Sequence, residues 1–196
     1  MTDRLDLLDE SVDALADLME GIEPAMHPRP TPCAEFTVGD LVDHLVGWIH
    51  VFEAATNDTE AARDPSVHLV REGQGGAFRR AGHGAVDGLR RLGTDRTVAI
   101  TSSPIPASMV VDMMTMEYPG HGWDLAVATG LPYPFDDRVV AAAHEAAERM
   151  IQPPYRGDEA GQFRPVVPTP GDAPPVDRFV AFLGRDPAWR PDETYS

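Results

Sequence analysis

Apolar residues recur every three or four positions along much of the chain, which is the spacing of an amphipathic helix with one buried face. The first such run spans residues 5 to 22 and ends where Gly21 to Pro24 interrupt the pattern. Thr37 lies three residues before Asp40, which predicts a capping box at the start of a second helix. The second helix would carry Leu41, His44, Leu45, Trp48 and Phe52.

The middle of the chain is less regular. A third helix is expected from about Val67 to Leu92, although each glycine inside this segment disfavours a helix by about 1 kcal/mol relative to alanine. Thr97 to Ile100 favours an extended segment, and Ser102 to Pro106 favours a turn.

The last part of the chain predicts further helices and one irregular stretch. A fourth helix should begin near Pro106 and end at Gly130, and Asp136 can cap a fifth. Proline-rich residues 152 to 175 should form a surface strap, followed by a short helix from Val176 to Leu183. We therefore expect an all-α protein, with a helical metal-binding domain at residues 1–151 and a strap and short helix packed on it at residues 152–196.

Charge and cysteine content narrow the function. The formal net charge of −16 disfavours nucleic acid and anionic membrane surfaces as partners. Cys33 is the only cysteine, so a metal would have to be held by histidines and carboxylates. Neither a membrane helix nor a signal peptide is apparent, which predicts a cytoplasmic protein.

The fourth helix carries the candidate chemistry. Taking 100° per residue, His121 and Asp124 lie within about 60° of Glu117, on the face that also carries Val110 and Met114. A buried carboxylate needs a cation, a proton or hydrogen bonds. A metal or a buried Glu–His hydrogen bond would each satisfy Glu117. The spacing alone is weak evidence, because a second Glu-x-x-x-His pair occurs at the end of the first helix.

Other reactive residues have competing interpretations. His44 lies at the edge of the buried stripe of the second helix, where a metal ligand or a histidine with one hydrogen bond would both fit. His50 falls on the solvent face. His144 could be a fourth ligand, a base or a core residue, and we favour the core. Cys33 is interpreted as a small buried residue, since neighbouring carboxylates oppose its ionisation.

Three sequence segments stand out together: Thr31 to Leu45, Glu117 to Gly130 and Asp177 to Pro187. They resemble actinobacterial metal-binding proteins of the DinB-like superfamily, related to the N-terminal domain of mycothiol-dependent maleylpyruvate isomerase. The resemblance implies an antiparallel four-helix bundle in which His44, Glu117 and His121 hold a metal. Three protein ligands would leave a position open for substrate, as in catalytic zinc sites.

The resemblance also implies an activity: a metal, expected to be zinc, activates a low-molecular-weight thiol such as mycothiol for transfer or isomerisation. Asp124 would orient a ligand or line the pocket. The partners are then a thiol and an electrophile. The sequence leaves a monomer and a homodimer both open, since no unpaired apolar helix face requires a dimer. The alternatives are a non-catalytic, stress-associated binding module and a metal-free bundle.

Two features depart from the family pattern. Pro119 and Gly120 separate the two ligands of the fourth helix, so a kink is expected there. The C-terminal segment is also shorter than the added domain of maleylpyruvate isomerase, which makes maleylpyruvate itself a doubtful substrate.

Overall fold

The computed structural model describes residues 2–59, 64–68, 73–100, 104–157, 159 and 163–191, which are mostly helical. The helices in these residues are α1 (Thr2–Glu20), α2 (Val38–Thr56), α3 (Gln74–Leu92), α4 (Ala107–Thr129), α5 (Asp137–Met150) and α6 (Pro175–Phe182). Short 3-10 helices form at Pro24–Met26, Pro65–His68 and Pro153–Tyr155. Strands β1 (Thr97–Ala99) and β2 (Pro104–Pro106) pair antiparallel. The all-α prediction is thus broadly correct, with a small two-stranded sheet added.

Local sequence signals set the ends of several helices. The Thr37 hydroxyl accepts a hydrogen bond from the Asp40 amide at 3.2 Å, and the Asp40 carboxylate accepts one from the Thr37 amide at 3.1 Å. This is the predicted capping box of α2. Asp136 likewise caps α5 by accepting from the Val139 amide at 3.0 Å. Gly130, with φ of +79°, ends α4 as expected.

The helices bury one shared core. Helices α1 and α2 both pack against α3, α4 packs against α1 and α2, and α5 packs against α4 and α6. The apolar stripe predicted for α1 is buried throughout, from Leu5 to Ile22. Tyr118, Phe78 and Phe179 are among the largest side chains that are fully enclosed.

Glycines in α3 allow neighbouring helices to approach closely. A Cβ atom on Gly82 would lie 2.5 Å from Cγ1 of Val12 in α1, and one on Gly88 would lie 2.6 Å from Oγ1 of Thr56 in α2. The cost of glycine within the helix is therefore offset by packing that no larger residue permits.

Two sequence predictions in the middle of the chain were wrong. Helix α3 begins at Gln74 rather than near Val67, because Gly73 adopts a left-handed φ of +66° immediately before it. Pro104–Pro106 forms a strand, whereas a turn was predicted from Ser102 to Pro106. Leu69 of the predicted third helix and residues 101–103 lie outside the described part of the chain. Both strands of a two-stranded sheet are edges, where proline is tolerated.

The C-terminal segment consists of an irregular stretch followed by the short helix α6, which packs against α5 and α4. Within the strap predicted at residues 152–175, Pro153–Tyr155 forms a 3-10 helix and residues 164–174 contain neither helix nor strand. The Val167 amide donates to the Ala181 carbonyl at 3.0 Å. Gly184 then reverses the chain after α6 with φ of +87°. Among the described residues, no helix combines the length and apolarity that crossing a membrane requires.

Candidate metal centre

Helix α4 places a glutamate and a histidine one turn apart. The Nε2 atom of His121 lies 3.0 Å from Oε2 of Glu117. The helix continues from Ala107 to Thr129 through Pro119, whose carbonyl accepts a hydrogen bond from the Tyr133 hydroxyl at 3.2 Å. The ligand spacing on α4 is therefore retained, while the kink stays a prediction.

Helix α2 brings the third candidate ligand to the same point. The Nε2 atom of His44 lies 3.6 Å from Oε2 of Glu117, the oxygen that also faces His121. The ring centroids of His44 and His121 are 5.3 Å apart, and the two ring planes make an angle of 74°. One potential ligand atom from each of His44, Glu117 and His121 lies within 4.8 Å of the others. The three residues thus converge on a single point.

Asp124 lies behind His121 and is fully enclosed. Its Oδ2 atom is 3.1 Å from Nδ1 of His121. Arg185, which follows α6, donates to Oδ2 from Nη2 at 3.0 Å and to Oδ1 from Nε at 3.3 Å. Asp124 therefore joins the histidine to an arginine of the C-terminal segment.

Burial and neighbouring charges act in opposite directions on these groups. Burial raises the pKa of Glu117, but His121 and His44 outweigh it and hold that pKa well below its usual range. Burial lowers the pKa of His121, yet Glu117 and Asp124 raise it to about 9. Asp124 keeps a lowered pKa despite its burial, because Arg185 and His121 favour the carboxylate. The site therefore contains two carboxylates that stay ionised.

The hydrogen-bonding capacity of His121 makes this arrangement suited to a cation. Both of its ring nitrogens face carboxylate oxygens, whereas a neutral imidazole has only one N–H to donate. The ring must either be protonated or direct the lone pair of Nε2 at a cation beside Glu117. Two imidazole nitrogens and a carboxylate oxygen are suitable ligands for zinc and for similar divalent metals. The residues present therefore fit a divalent metal.

A second possible ligand group overlaps the first but suits a metal less well. Cys33, His121 and Asp124 also offer ligand atoms within 4.8 Å of one another. Asp124 already forms an ion pair with the guanidinium of Arg185. Burial, the largest effect, raises the pKa of the Cys33 thiol to about 11, although Arg185 opposes it. A neutral thiol beside a guanidinium is a poor cation site.

A cavity of about 270 Å³ opens beside the histidines and Glu117. Its walls include apolar side chains from several segments, among them Phe36, Met116, Phe163 and Leu183. Cys33 and Arg185 also line it. The C-terminal segment therefore supplies one wall of the cavity, which leaves room for a small molecule next to the candidate ligands.

The remaining histidines singled out in the sequence lie elsewhere. Nδ1 of His50 is 3.5 Å from Oε2 of Glu53, at the partly exposed surface of α2. His144 packs against the rings of Phe179 and Phe182, with centroids 6.1 and 5.2 Å away.

Sequence reasoning missed the role of Arg185. The available signal was the position of Asp124 on a buried helix face, because an enclosed carboxylate requires a cationic or hydrogen-bonding partner. Which of the chain's arginines would supply it could not be read from the spacing, since Arg185 is 61 residues away. Cys33 was expected to be buried, and the structure shows it half-buried at the cavity wall.

Comparison with known proteins assigns the family. The model of the mycothiol maleylpyruvate isomerase N-terminal domain matches residues 8–126. Uncharacterized protein Rv0738 of Mycobacterium tuberculosis strain H37Rv and uncharacterized protein MT0763 of strain CDC 1551 are each 31% identical over 174 residues, which covers 88% of this chain and 92% of theirs. The chain belongs to the mycothiol maleylpyruvate isomerase N-terminal domain family. No significant match to a solved structure was found.

Proposed function

We propose that the protein is a metal-dependent transferase or isomerase that uses a low-molecular-weight thiol, with one zinc ion held by His44, Glu117 and His121. The observation that carries this proposal is the convergence of the three ligand atoms within 4.8 Å at the wall of a cavity. Membership in a family named for a mycothiol isomerase supports the choice of thiol chemistry.

The protein's own residues would prepare the site for that chemistry. Glu117 supplies a negative charge that attracts a cation, and the two histidines supply neutral nitrogen ligands. Asp124 orients His121 from behind rather than from within the cavity. A bound divalent metal would lower the pKa of a coordinated thiol, so that thiolate exists at neutral pH.

The cavity of about 270 Å³ would admit the thiol group of a cosubstrate next to the candidate ligands. Phe36, Met116 and Leu183 form apolar walls of the cavity, and three protein ligands would leave a position free on a bound metal. Mycothiol is the proposed thiol because of the family assignment.

We propose that helices α1 to α4 form a DinB-like antiparallel four-helix bundle, in which α3 and α4 each pack against α1 and α2, and in which α2 and α4 supply the ligands. Residues 1–151 would form this metal-binding domain, and residues 152–196 would pack on it. We propose that the protein works in the cytoplasm, where a thiol cosubstrate stays reduced, as a monomer or homodimer.

Conjugation assays test this function. Zinc-loaded protein is incubated with mycothiol and with each of several electrophiles, an aryl halide among them, and loss of the electrophile is measured. We expect thiol-dependent turnover by the wild type and by Glu53→Gln, which alters a surface Glu–His pair on α2. Glu117→Gln should lose it. Absence of turnover by zinc-loaded wild type with every electrophile would contradict catalysis and favour a binding module.

A further inference from the structure

Arg185 is a largely buried arginine whose guanidinium is held at several points. Its side chain is 11% exposed and that of Asp124 is 0% exposed. Nε and Nη2 donate to the two oxygens of Asp124 at 3.3 and 3.0 Å, and Nη1 donates to the Leu183 carbonyl at 3.2 Å. A guanidinium bound to both oxygens of a carboxylate fixes the orientation of that carboxylate.

The same carboxylate contacts the Nδ1 atom of His121. Oδ2 of Asp124 accepts from Arg185 and lies 3.1 Å from Nδ1 of His121. A hydrogen bond from Nδ1–H to this oxygen selects the tautomer whose Nε2 lone pair is free. That nitrogen lies 3.0 Å from Oε2 of Glu117, a separation at which one divalent cation can bind both atoms.

We propose that Arg185 is a positioning residue that acts through Asp124 to hold His121 with its Nε2 lone pair turned toward the metal centre. The inference rests on the proposed metal site. It extends that site beyond residues 8–126, which the family model matches, into the segment that follows α6. The C-terminal segment is then part of the centre and not only a cover.

A purely structural role makes a different prediction. If Arg185 only anchored the C-terminal segment, its removal would lower stability while metal affinity stayed unchanged. If it acts through Asp124, affinity should fall, and removing both residues should cost no more than removing one. Metal affinity and its coupling to Asp124 therefore separate the two roles.

Zinc affinity is measured by competition with a chromophoric chelator for the wild type, Arg185→Met, Asp124→Asn and the double variant. We expect Arg185→Met and Asp124→Asn each to bind zinc about 10- to 100-fold more weakly, as for other residues that support metal ligands. The double variant should match the weaker single variant. Arg185→Lys should recover part of the affinity, since it restores the charge but not the two-point contact.

Arg178→Met is the matched control, because Arg178 is an exposed arginine of α6 that donates to the Gly171 carbonyl. It should bind zinc like the wild type. If folded Arg185→Met also binds like the wild type, or if the losses in the double variant add, the inference is overturned and the metal site stands. If the wild type binds no zinc, the proposed function falls and this inference with it.

A measurement on the wild type covers the case in which Arg185→Met does not fold. Nitrogen NMR of the zinc-loaded protein reports which ring nitrogen of His121 carries the proton. We expect a protonated Nδ1 and a metal-bound Nε2. The opposite tautomer would overturn the inference, because Asp124 would then not receive the Nδ1 proton.

Discussion

Among the residues that the structure describes, two histidines each lie between two carboxylates, yet their surroundings differ. His121 lies between Glu117 and Asp124, at 3.0 and 3.1 Å. His83 of α3 lies between Asp9 and Asp13 of α1, at 2.6 and 3.0 Å. The side chain of His83 is 38% exposed, whereas that of His121 is 10% exposed.

The difference shows what turns an acid-flanked histidine into a candidate metal ligand. Asp9 and Asp13 meet opposite nitrogens of His83, and the neighbouring Arg79 and Arg90 bind the same acidic face of α1. These ion pairs form a surface bridge between α1 and α3, where exposed ion pairs contribute little to the free energy of folding. At His121, one oxygen of Glu117 is shared with His44, so ligand atoms converge in a partly buried site.

The largest expected effect is on metal affinity. Glu117→Gln should weaken zinc binding by more than about 100-fold, or about 2.7 kcal/mol, because it removes a charged ligand rather than a supporting residue. His83→Gln should leave zinc affinity unchanged, since His83 is not one of the three proposed ligands. Calorimetric titration measures both. Equal losses in the two variants would remove the distinction between the two histidines.

Thermal stability should separate the two regions next. Zinc at 100 times its Kd should raise the free energy of unfolding by about 2.7 kcal/mol, and hence the Tm by about 5 to 10 °C for a chain of this length. His83→Gln should keep this rise and His44→Ala should lose it. The check is a thermal melt with and without zinc, and a rise that survives in His44→Ala would contradict the ligand assignment.

The surface bridge should depend on how closely α3 approaches α1. A Cβ on Gly82 would lie 2.5 Å from Val12, so Gly82→Ala should push the helices apart and cost about 1 to 3 kcal/mol. Gly76→Ala is the matched control, because its Cβ would only come within 3.6 Å of Arg80, and it should stabilise by about 0.5 to 1 kcal/mol. Urea unfolding measures both. A stable Gly82→Ala variant would show that the close approach is not required.

The smallest expected effect is a pH dependence at His83. Burial lowers the pKa of His83, but its hydrogen bonds to Asp9 and Asp13 raise it above the ordinary value of 6.5. A raised folded pKa adds stability that is present below the unfolded pKa and is lost as pH rises through the folded value. His83→Gln should therefore lower the free energy of unfolding near pH 6, by less than about 1 kcal/mol. The loss should be smaller still near pH 9, where His83 is less protonated in the folded wild type. Parallel pH profiles for variant and wild type would contradict this.

Local sequence patterns predicted the parts of the fold that depend on neighbouring residues. The capping box of Thr37 and Asp40, the glycine end of α4 at Gly130 and the Asp136 cap were all correct. The same is true of the α4 face, because a helix brings Glu117 and His121 together over one turn.

Features that depend on distant packing could not be predicted in this way. The partnership of Asp124 with Arg185 joins segments 61 residues apart, and no periodicity marks it. The late start of α3 depends on the left-handed Gly73, which the apolar pattern from Val67 to Leu92 did not reveal. His44 was assigned as a ligand from the family resemblance, because its position on the helix was equally compatible with a histidine that makes one hydrogen bond.

The central claim is that His44, Glu117 and His121 hold a metal, and elemental analysis of protein purified without added metal tests it most directly. The account predicts about one zinc per chain in the wild type and in His83→Gln, and almost none in Glu117→Gln. A wild type without stoichiometric metal, or a Glu117→Gln variant that retains it, would contradict the account.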